Sequence, residues 1–503
     1  MNTQAHKGIE TRPPVIVVMG HIDHGKSTLL DYIRKTSIVK KEAGGITQHV
    51  GAYEAEYTDK AGVSHRLTFL DTPGHEAFCA IRERGARTAD LAILVVSAED
   101  GVKPQTLEAL ACIKESAIPY IVAINKIDRP GVDIERTKVN LAEHEIYVEG
   151  YGGDIPWVPI SALTGQGIPD LLEILALMAE LQNLTSDPSK KAEGLIIEAH
   201  VDQKRGTTAT LIVKDGTLSI GEFVVSGDSI SPVRAIEDYA GKHIKTAGAS
   251  SPIRIVGWNK VPIVGAPFIA VSSRKEADVL AERQRFVPQP KAVNVAEEGD
   301  DKKVVIPLIM KADTVGSLDA IIHEVQKIKV EGVILKVLLS SVGTINENDL
   351  KTASAGQSPL VVGFNVKVDA SARAVAERLA IPVMNFDIIY RLTEWLLAEV
   401  EKRRPRTEVE EETGRAKVLK LFSAEKDRYV IGGKVESGLL KSGAIFKLLR
   451  RESEVSRGKI RNLQQQKEKV DEVGKDKEFG AMVECKIEPV PGDRLEVFTV
   501  SER

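Results

Sequence analysis

Between Pro13 and Leu184 the chain alternates two hydrophobic patterns. The runs "VIVVMG", "LTFL", "LAILVVS" and "YIVAIN" are almost wholly apolar and stop at Gly, Asp or Asn. Runs of that length without polar alternation suit strands buried on both faces of a parallel sheet. Between and after them, "STLLDYIRK" and "LLEILALMAELQNL" carry apolar residues at helical spacing, which completes βαβ units. The polar, proline-bearing "TSDPSKKAEG" closes the region. The pattern therefore predicts a polar tail at 1–12 and an α/β domain at 13–184 with helices on both faces of a mostly parallel sheet. Inside that domain "KKEAGGITQHVGAY", Lys40 to Tyr53, follows neither period and reads as a loop.

The pattern then changes. In 185–285, short β-rich runs such as "LIIEAHVD", "TATLIVKDG" and "EFVVSG" are divided by Gly and Asp turns and predict a small antiparallel barrel. A charged linker follows at 286–302. Residues 303–385 return to alternating strands and helices, a second and smaller α/β domain. The connecting segment 386–410 begins with "DIIYRLTEWLLAEVEKRR", apolar at helical spacing and basic at its end, as a helix C-terminus favours. The last region, 411–503, predicts a C-terminal β-barrel, with "RYVIGGKVESGLLKSGAIFKLL" as its clearest hairpin-like series.

Composition adds limits. At 503 residues, about three to five domains are expected. A net charge of -4 excludes a global pull toward nucleic acid, so any such contact must come from local patches. The three cysteines, Cys79, Cys112 and Cys485, form no CxxC pair and read as reduced packing thiols. The N-terminus lacks an apolar core of the kind a secretory leader needs, and no run reaches membrane-spanning length. The expectation is a soluble, cytoplasmic protein.

Four motifs carry chemistry. "GHIDHGKS", Gly20 to Ser27, fits G-x-x-x-x-G-K-[ST] between a strand and a helix. Gly20 and Gly25 let the backbone of His21, Ile22, Asp23 and His24 wrap phosphates, and the helix N-terminus through Thr28 adds its dipole. Lys26 offers an ammonium to the β- and γ-phosphates and Ser27 a hydroxyl to Mg²⁺. A metal site on His21 and His24 is the weaker reading, since two histidines are too few ligands. "DTPG", Asp71, Thr72, Pro73 and Gly74, follows a strand; Asp71 suits the magnesium shell and Gly74 a γ-phosphate contact. "NKID" places Asn125, Lys126 and Asp128 at another strand end. The Asp128 carboxylate can accept from guanine N1–H and N2, a donor pair that adenine lacks. The Lys126 stem can cover the base. "SAL", Ser161, Ala162 and Leu163, sits at a fourth strand end. Ligands bind at the carboxyl ends of strands in open α/β sheets. The set implies GTP or GDP with Mg²⁺.

"GHIDHGKSTLLD", "EAGGITQHVGAY", "FLDTPGHEAF", "DGVKPQT" and "NKIDRP" together resemble bacterial-type translation initiation factor 2, a translational GTPase family. So do "RGTTATLIVKDGTLSIGEFVV", "KADTVGSLDAI" and "FNVKVDASARAVAERLAIPVMNFDIIYRLTE". The likeness runs from about Pro13, although the family usually carries a long N-terminal extension where this chain has a short tail. The resemblance implies a phosphate-loop GTPase domain, a β-barrel, a small α/β domain, a connecting helix and a C-terminal β-barrel. It makes Thr47 the switch threonine that joins Ser27 and Asp71 at Mg²⁺. His75 would orient the attacking water, Ile22 and Ile46 would gate it, and Asp23 would help hold a monovalent cation. The partners implied are both ribosomal subunits and initiator formylmethionyl-tRNA, met by a monomer with no membrane contact, with hydrolysis stimulated by the ribosome.

The last barrel departs from the family's pattern. Relatives often have Gly-Cys where this chain has "VIGGKV" with Gly433, and a Lys-Arg-aromatic run where it has Gln464, Gln465 and Gln466. They have Glu-Cys-Gly where it has Glu478, Phe479 and Gly480. An apolar pocket with Phe479 in place of cysteine is still expected to take a methionyl side chain. Fewer cations predict a weaker tRNA contact with a flatter salt dependence. Two other readings stay open. One is an elongation-type tRNA-delivery GTPase, against which the middle α/β domain argues. The other is a ribosome-binding assembly or regulatory switch that holds no tRNA. The basic stretch "RRESEVSRGKIR" is either an RNA contact or a solvated strand face.

Overall fold

The structure is a computed structural model that describes residues 8–34, 51–60, 62–202, 204–284, 304–404, 408–466 and 468–502. Ile46, Thr47 and the 286–302 linker lie outside the described residues. The chain divides into two compact units, Met1–Arg404 and Pro405–Arg503.

The first sheet holds β1 (Val15–Gly20), β2 (Gly51–Thr58), β3 (Ser64–Asp71), β4 (Leu91–Ser97), β5 (Tyr120–Asn125) and β6 (Trp157–Pro159). Their order is β2-β3-β1-β4-β5-β6. All neighbours are parallel except β2, which pairs antiparallel with β3 along the edge. The helices are α1 (Lys26–Arg34), α2 (Cys79–Thr88), α3 (Pro104–Glu115), α4 (Ile134–Glu143) and α5 (Ile168–Leu181). Alternate residues of β1 serve opposite cores. Val15, Val17 and Met19 pack with Ala109 and Ile113 of α3, whereas Ile16 and Val18 pack with Leu29 of α1 and Leu171 of α5. Burial on both faces is why these strands show no polar alternation.

The loop expected over Lys40–Tyr53 is corrected at its end, because Gly51, Ala52 and Tyr53 already belong to β2. Tyr53 is buried and stacks on Phe69 of β3 at 5.6 Å, with Ala55 and Tyr57 following it inward at strand period. That period starts only at Gly51, so a window centred on the glycine pair misses it.

Residues 193–271 supply an eight-stranded antiparallel sheet with β7 (Glu193–Asp202) and β8 (Gly206–Asp215) at its centre. Helix α6 (Arg274–Gln284) seats Ala277 and Ala281 against Val225, Ile230 and Val271. Next comes a four-stranded parallel sheet of β9 (Val304–Ala312), β10 (Val333–Val342), β11 (Leu360–Phe364) and β12 (Val383–Phe386), ordered β10-β9-β11-β12. Its helices are α7 (Val315–Lys327), α8 (Glu347–Ala353), α9 (Ala370–Leu379) and α10 (Ile389–Lys402). Thr314 caps α7 by accepting from the Ser317 amide. Helix α10 buries Ile389, Leu392, Leu396 and Val400 in one core with Leu308, Met310 and Ile321. Ala77, Phe78 and Ile81, the segment just past Asp71, join that same core. The third sheet's layer thus grips the segment that follows "DTPG".

The second unit is a closed barrel. Strands β13 (Glu408–Glu425), β14 (Arg428–Lys441), β15 (Ile445–Arg450), β16 (Ser453–Gln465), β17 (Glu478–Cys485) and β18 (Arg494–Glu502) are all antiparallel to their neighbours. Pairing runs β13-β18-β15-β16-β17-β14 and back to β13. The hairpin expected within "RYVIGGKVESGLLKSGAIFKLL" does not form. Its halves β14 and β15 lie apart, β14 between β13 and β17 and β15 between β18 and β16. Ring closure gives every strand two partners, and sequence-adjacent strands need not be among them.

Candidate nucleotide site

The phosphate loop leaves β1 and enters α1 through positive φ at Gly20 (143°), Asp23 (62°) and Gly25 (89°). A Cβ on Gly20 would overlap the Val95 carbonyl of β4, and one on Gly25 would overlap the Asn125 amide, so both positions need glycine. Lys26 is buried, and its Nζ donates to the carbonyls of Gly20 (3.0 Å) and His21 (2.7 Å). Burial lowers its pKa to about 8, against the opposing pull of Asp71. His24 is fully buried, with Nδ1 3.3 Å from the Val95 carbonyl, and burial pushes it down to about 3, so it stays neutral. His21 lies 5.0 Å from the His24 ring and is also lowered, first by burial and then by Lys26. Among the described residues, no group of three or more His, Cys, Asp or Glu side chains converges on one point.

The base end is knitted to the phosphate end by one side chain. Asn125 is buried; its Nδ2 donates to His24 O (2.8 Å) and its Oδ1 accepts from Ala162 N (2.9 Å). Ser161 Oγ donates to Asp128 Oδ1 (2.7 Å) and accepts from Thr164 N (3.1 Å). That hydrogen bond holds the Asp128 carboxyl below its ordinary pKa. Lys126 has φ +68° and sits 3.5 Å from Asp100 and 3.9 Å from Glu99. Leu163 is 74% exposed, so its side chain points to water. Ser161 and Ala162 thus hydrogen-bond the side chains of Asp128 and Asn125, respectively.

β3 ends at Asp71, and the hydroxyl of the next residue, Thr72, donates back to Val18 O (2.8 Å). Gly74 faces the phosphate loop: a Cβ there would overlap Lys26 Nζ and lie 3.0 Å from Ile22 N. His75 is 6% exposed. Its Nδ1 accepts from Ala77 N at 2.9 Å, which places the ring proton on Nε2. That Nε2 is buried with no partner among the described residues. The ring lies 4.3 Å from Tyr390 of α10 and 6.1 Å from Phe78. Burial lowers its pKa, opposed by Glu324 and Glu76. Lys327 of α7 pairs with both of those carboxylates.

The sequence reading missed Arg82, Gln105, Glu108 and Tyr390. Gln105 Oε1 accepts from Ile22 N at 3.2 Å. Arg82 is buried and contacts the His75 carbonyl and Glu108. "IRERGAR" looks like an exposed basic helix, and no local period marks its first arginine as inward. "DGVKPQT" did single out the stretch holding Gln105.

In the barrel, Gly433 pairs with Phe479, Gly432 with Gly480, and Gln464 with Gly480. Phe479 is the residue expected to line an apolar methionyl pocket. Phe479 is 4% exposed and belongs to the barrel core, its ring 2.8 Å from where a Gly433 Cβ would stand. It fills the space that the glycine leaves. Gln464, Gln465 and Gln466 run along β16 into its turn, and Glu478 is exposed opposite Lys434. In the basic stretch, Arg450 pairs with Asp493, Arg457 with Glu410 and Glu454, and Arg461 with Glu484. The arginine side chains of all three ion pairs keep solvent exposure.

Comparison with known proteins follows the same division. The Elongation factor Tu GTP binding domain family matches residues 12–181, Elongation factor G domain 2 matches 191–271, and Translation-initiation factor 2 matches 283–396. Translation initiation factor IF-2 of Anoxybacillus flavithermus is 40% identical over 501 residues, covering 98% of this chain and 68% of that protein. The chain belongs to the translation initiation factor IF-2 family. The IF-2 of Persephonella marina is 41% identical over 495 residues, 97% of this chain and 56% of that protein. For the IF-2 of Bacillus subtilis the figures are 39% over 506 residues, 98% and 70%. The chain therefore spans between about half and 70% of its IF-2 relatives' length. Among solved structures, GDP-bound aIF5B from Aeropyrum pernix is 28% identical with a TM-score of 0.49, covering 98% of this chain and 92% of that one. As an IF-2 family member, the chain is a translation-initiation GTPase.

Proposed function

We propose that this IF-2 family chain couples GTP hydrolysis to the placement of initiator formylmethionyl-tRNA on the small ribosomal subunit and to subunit joining. The observation that supports its GTP-dependent part most is Asn125, which ties His24 of the phosphate loop to Ala162 beside the base-reading Asp128. A site strung that way reads guanine and polyphosphate as one ligand.

The loop Gly20–Ser27 would cradle the phosphates with its amides, and Lys26 would exchange two carbonyls for phosphate oxygens. The donor set fits Mg²⁺: the Ser27 hydroxyl opens α1, and Asp71 ends β3 close enough to act on Lys26. Ser27, Asp71 and Thr47 would hold the ion, which supplies charge neutralisation across the β- and γ-phosphates. Asp23, exposed on its left-handed turn, is the residue proposed to help hold a monovalent cation. Gly74 would meet the γ-phosphate. His75 would orient water after leaving its Ala77 cap and Tyr390, with Ile22 and Ile46 gating the approach. Hydrolysis without the ribosome should be slow, because His75 rests turned into the third-sheet layer. The protein is proposed to act as a monomer.

The buried Phe479 favours a second reading at the tRNA end, in which the barrel holds the acceptor end weakly or not at all. Filter binding of the full chain to formylated and unformylated initiator tRNA separates the two. Preference for the formylated form supports the initiator role. No binding at any salt leaves the tRNA-free ribosomal switch.

A further inference from the structure

Arg82 sits in the second turn of α2 and is 1% exposed. A guanidinium is rarely buried unless its donors are matched, since an unmatched buried charge is costly. Helical side chains lean toward the N-terminus, which carries this one back over the turn that precedes α2. There Nη1 donates to His75 O at 2.6 Å and lies 3.4 Å from Pro73 O and 3.5 Å from Gly74 O. Nη2 donates to Glu108 of α3 at 2.7 Å. Three successive carbonyls of the loop thus turn toward one buried cation.

Peptide planarity makes that consequential. The described chain has no cis peptide bonds, and in a trans peptide the C=O and the next N–H point in opposite directions. With Pro73 O turned toward Arg82, the Gly74 N–H is directed away from it. The Gly74 Cα already faces Lys26 and Ile22. Helix α3 holds the other side as well. Gln105, three residues before Glu108 and on the same helical face, accepts from Ile22 N at 3.2 Å. One face of α3 therefore fixes a phosphate-loop residue directly and the His75 loop through Arg82.

We propose that Arg82, anchored by Glu108, is a positioning residue for hydrolysis, fixing the peptides from Pro73 to His75 so that Gly74 N–H and His75 are presented to the γ-phosphate side. The proposal rests on the assignment of His75 to water orientation. Glu108 is half-exposed, so it can be altered without opening a core.

The test measures single-turnover hydrolysis on ribosomes at saturating GTP for Glu108→Ala, Glu108→Gln and Arg82→Lys, with GDP affinity and melting temperature measured alongside. Glu108→Ala should slow hydrolysis by about tenfold or more while GDP affinity stays within about twofold, since misplaced reacting groups cost rate and not ground-state binding. Glu108→Gln keeps an acceptor for Nη2 and should recover to within about threefold of the natural rate. Arg82→Lys cannot serve His75 O and Glu108 together and should stay slow. Natural rates in Glu108→Ala, or losses in rate and GDP affinity that move together with melting and are not rescued by Gln, would overturn the proposal. His75→Ala runs in parallel. If it alone abolishes stimulation, the Arg82 inference fails and the His75 assignment stands; if it hydrolyses normally, the assignment beneath the inference fails.

Discussion

Lys26 shows how much one buried charge can say about ligand and pH. Its pKa is about 8 where an ordinary lysine has 10.5, and burial is the main cause. A folded-state pKa below the unfolded one means the unfolded chain holds more protons between those values, so this group's contribution to stability rises with pH from about 8 to 10.5. Bound phosphates would restore the charge, so nucleotide binding should take up a proton in that window. GTP affinity is expected to weaken by up to about tenfold per pH unit above pH 8. Calorimetry in buffers of different ionisation heat checks the proton uptake, and an affinity flat to pH 10 would contradict it. At the base end, Asp128→Asn should shift preference from guanosine to xanthosine nucleotides, read by competition binding, because an amide donates where xanthine offers an acceptor. Undiminished guanine preference would remove Asp128 from that role. Gly20, Lys26, Asn125 and Asp128 were legible because their backbone and donor needs dictate a fixed spacing. Arg82 and Tyr390 were not, because what makes them matter is contact with residues far away in sequence.

Among the elements, strands buried on both faces were the easiest to read, since β1, β4 and β5 need no alternation and end at turn residues. The edge strand β2 was hidden by the aperiodic stretch before it, and the β14–β15 pairing was wrong because barrel closure outranks sequence adjacency. The same barrel gives a prediction about packing. Phe479 lies in the core over Gly433. Phe479→Ala should destabilise the C-terminal unit by about 3–5 kcal/mol through lost burial and the cavity left. Denaturant unfolding of the full chain, followed by a probe in the barrel, measures it. Unchanged stability would contradict the place of Phe479 in the core.

At the scale of the molecule, composition gave only a many-domained, slightly acidic chain, and no helix among the described residues is long and apolar enough to cross a membrane. Motif order along the chain, not bulk charge, pointed to the initiation GTPases. What the sequence could not show is that α7 and α10 close over the segment after "DTPG". His75 is capped on Ala77, packed on Tyr390 and ringed by the Glu76–Lys327–Glu324 network. In its proposed role of orienting water, His75 must first be released from these contacts. The most direct measurement is the GTP hydrolysis rate of the natural chain and of His75→Ala, with and without ribosomes, at equal bound nucleotide. Slow turnover alone, stimulation by orders of magnitude on ribosomes for the natural chain, and GTP binding without stimulation for His75→Ala are expected. Equal stimulation of both, or none for the natural chain, would contradict this expectation.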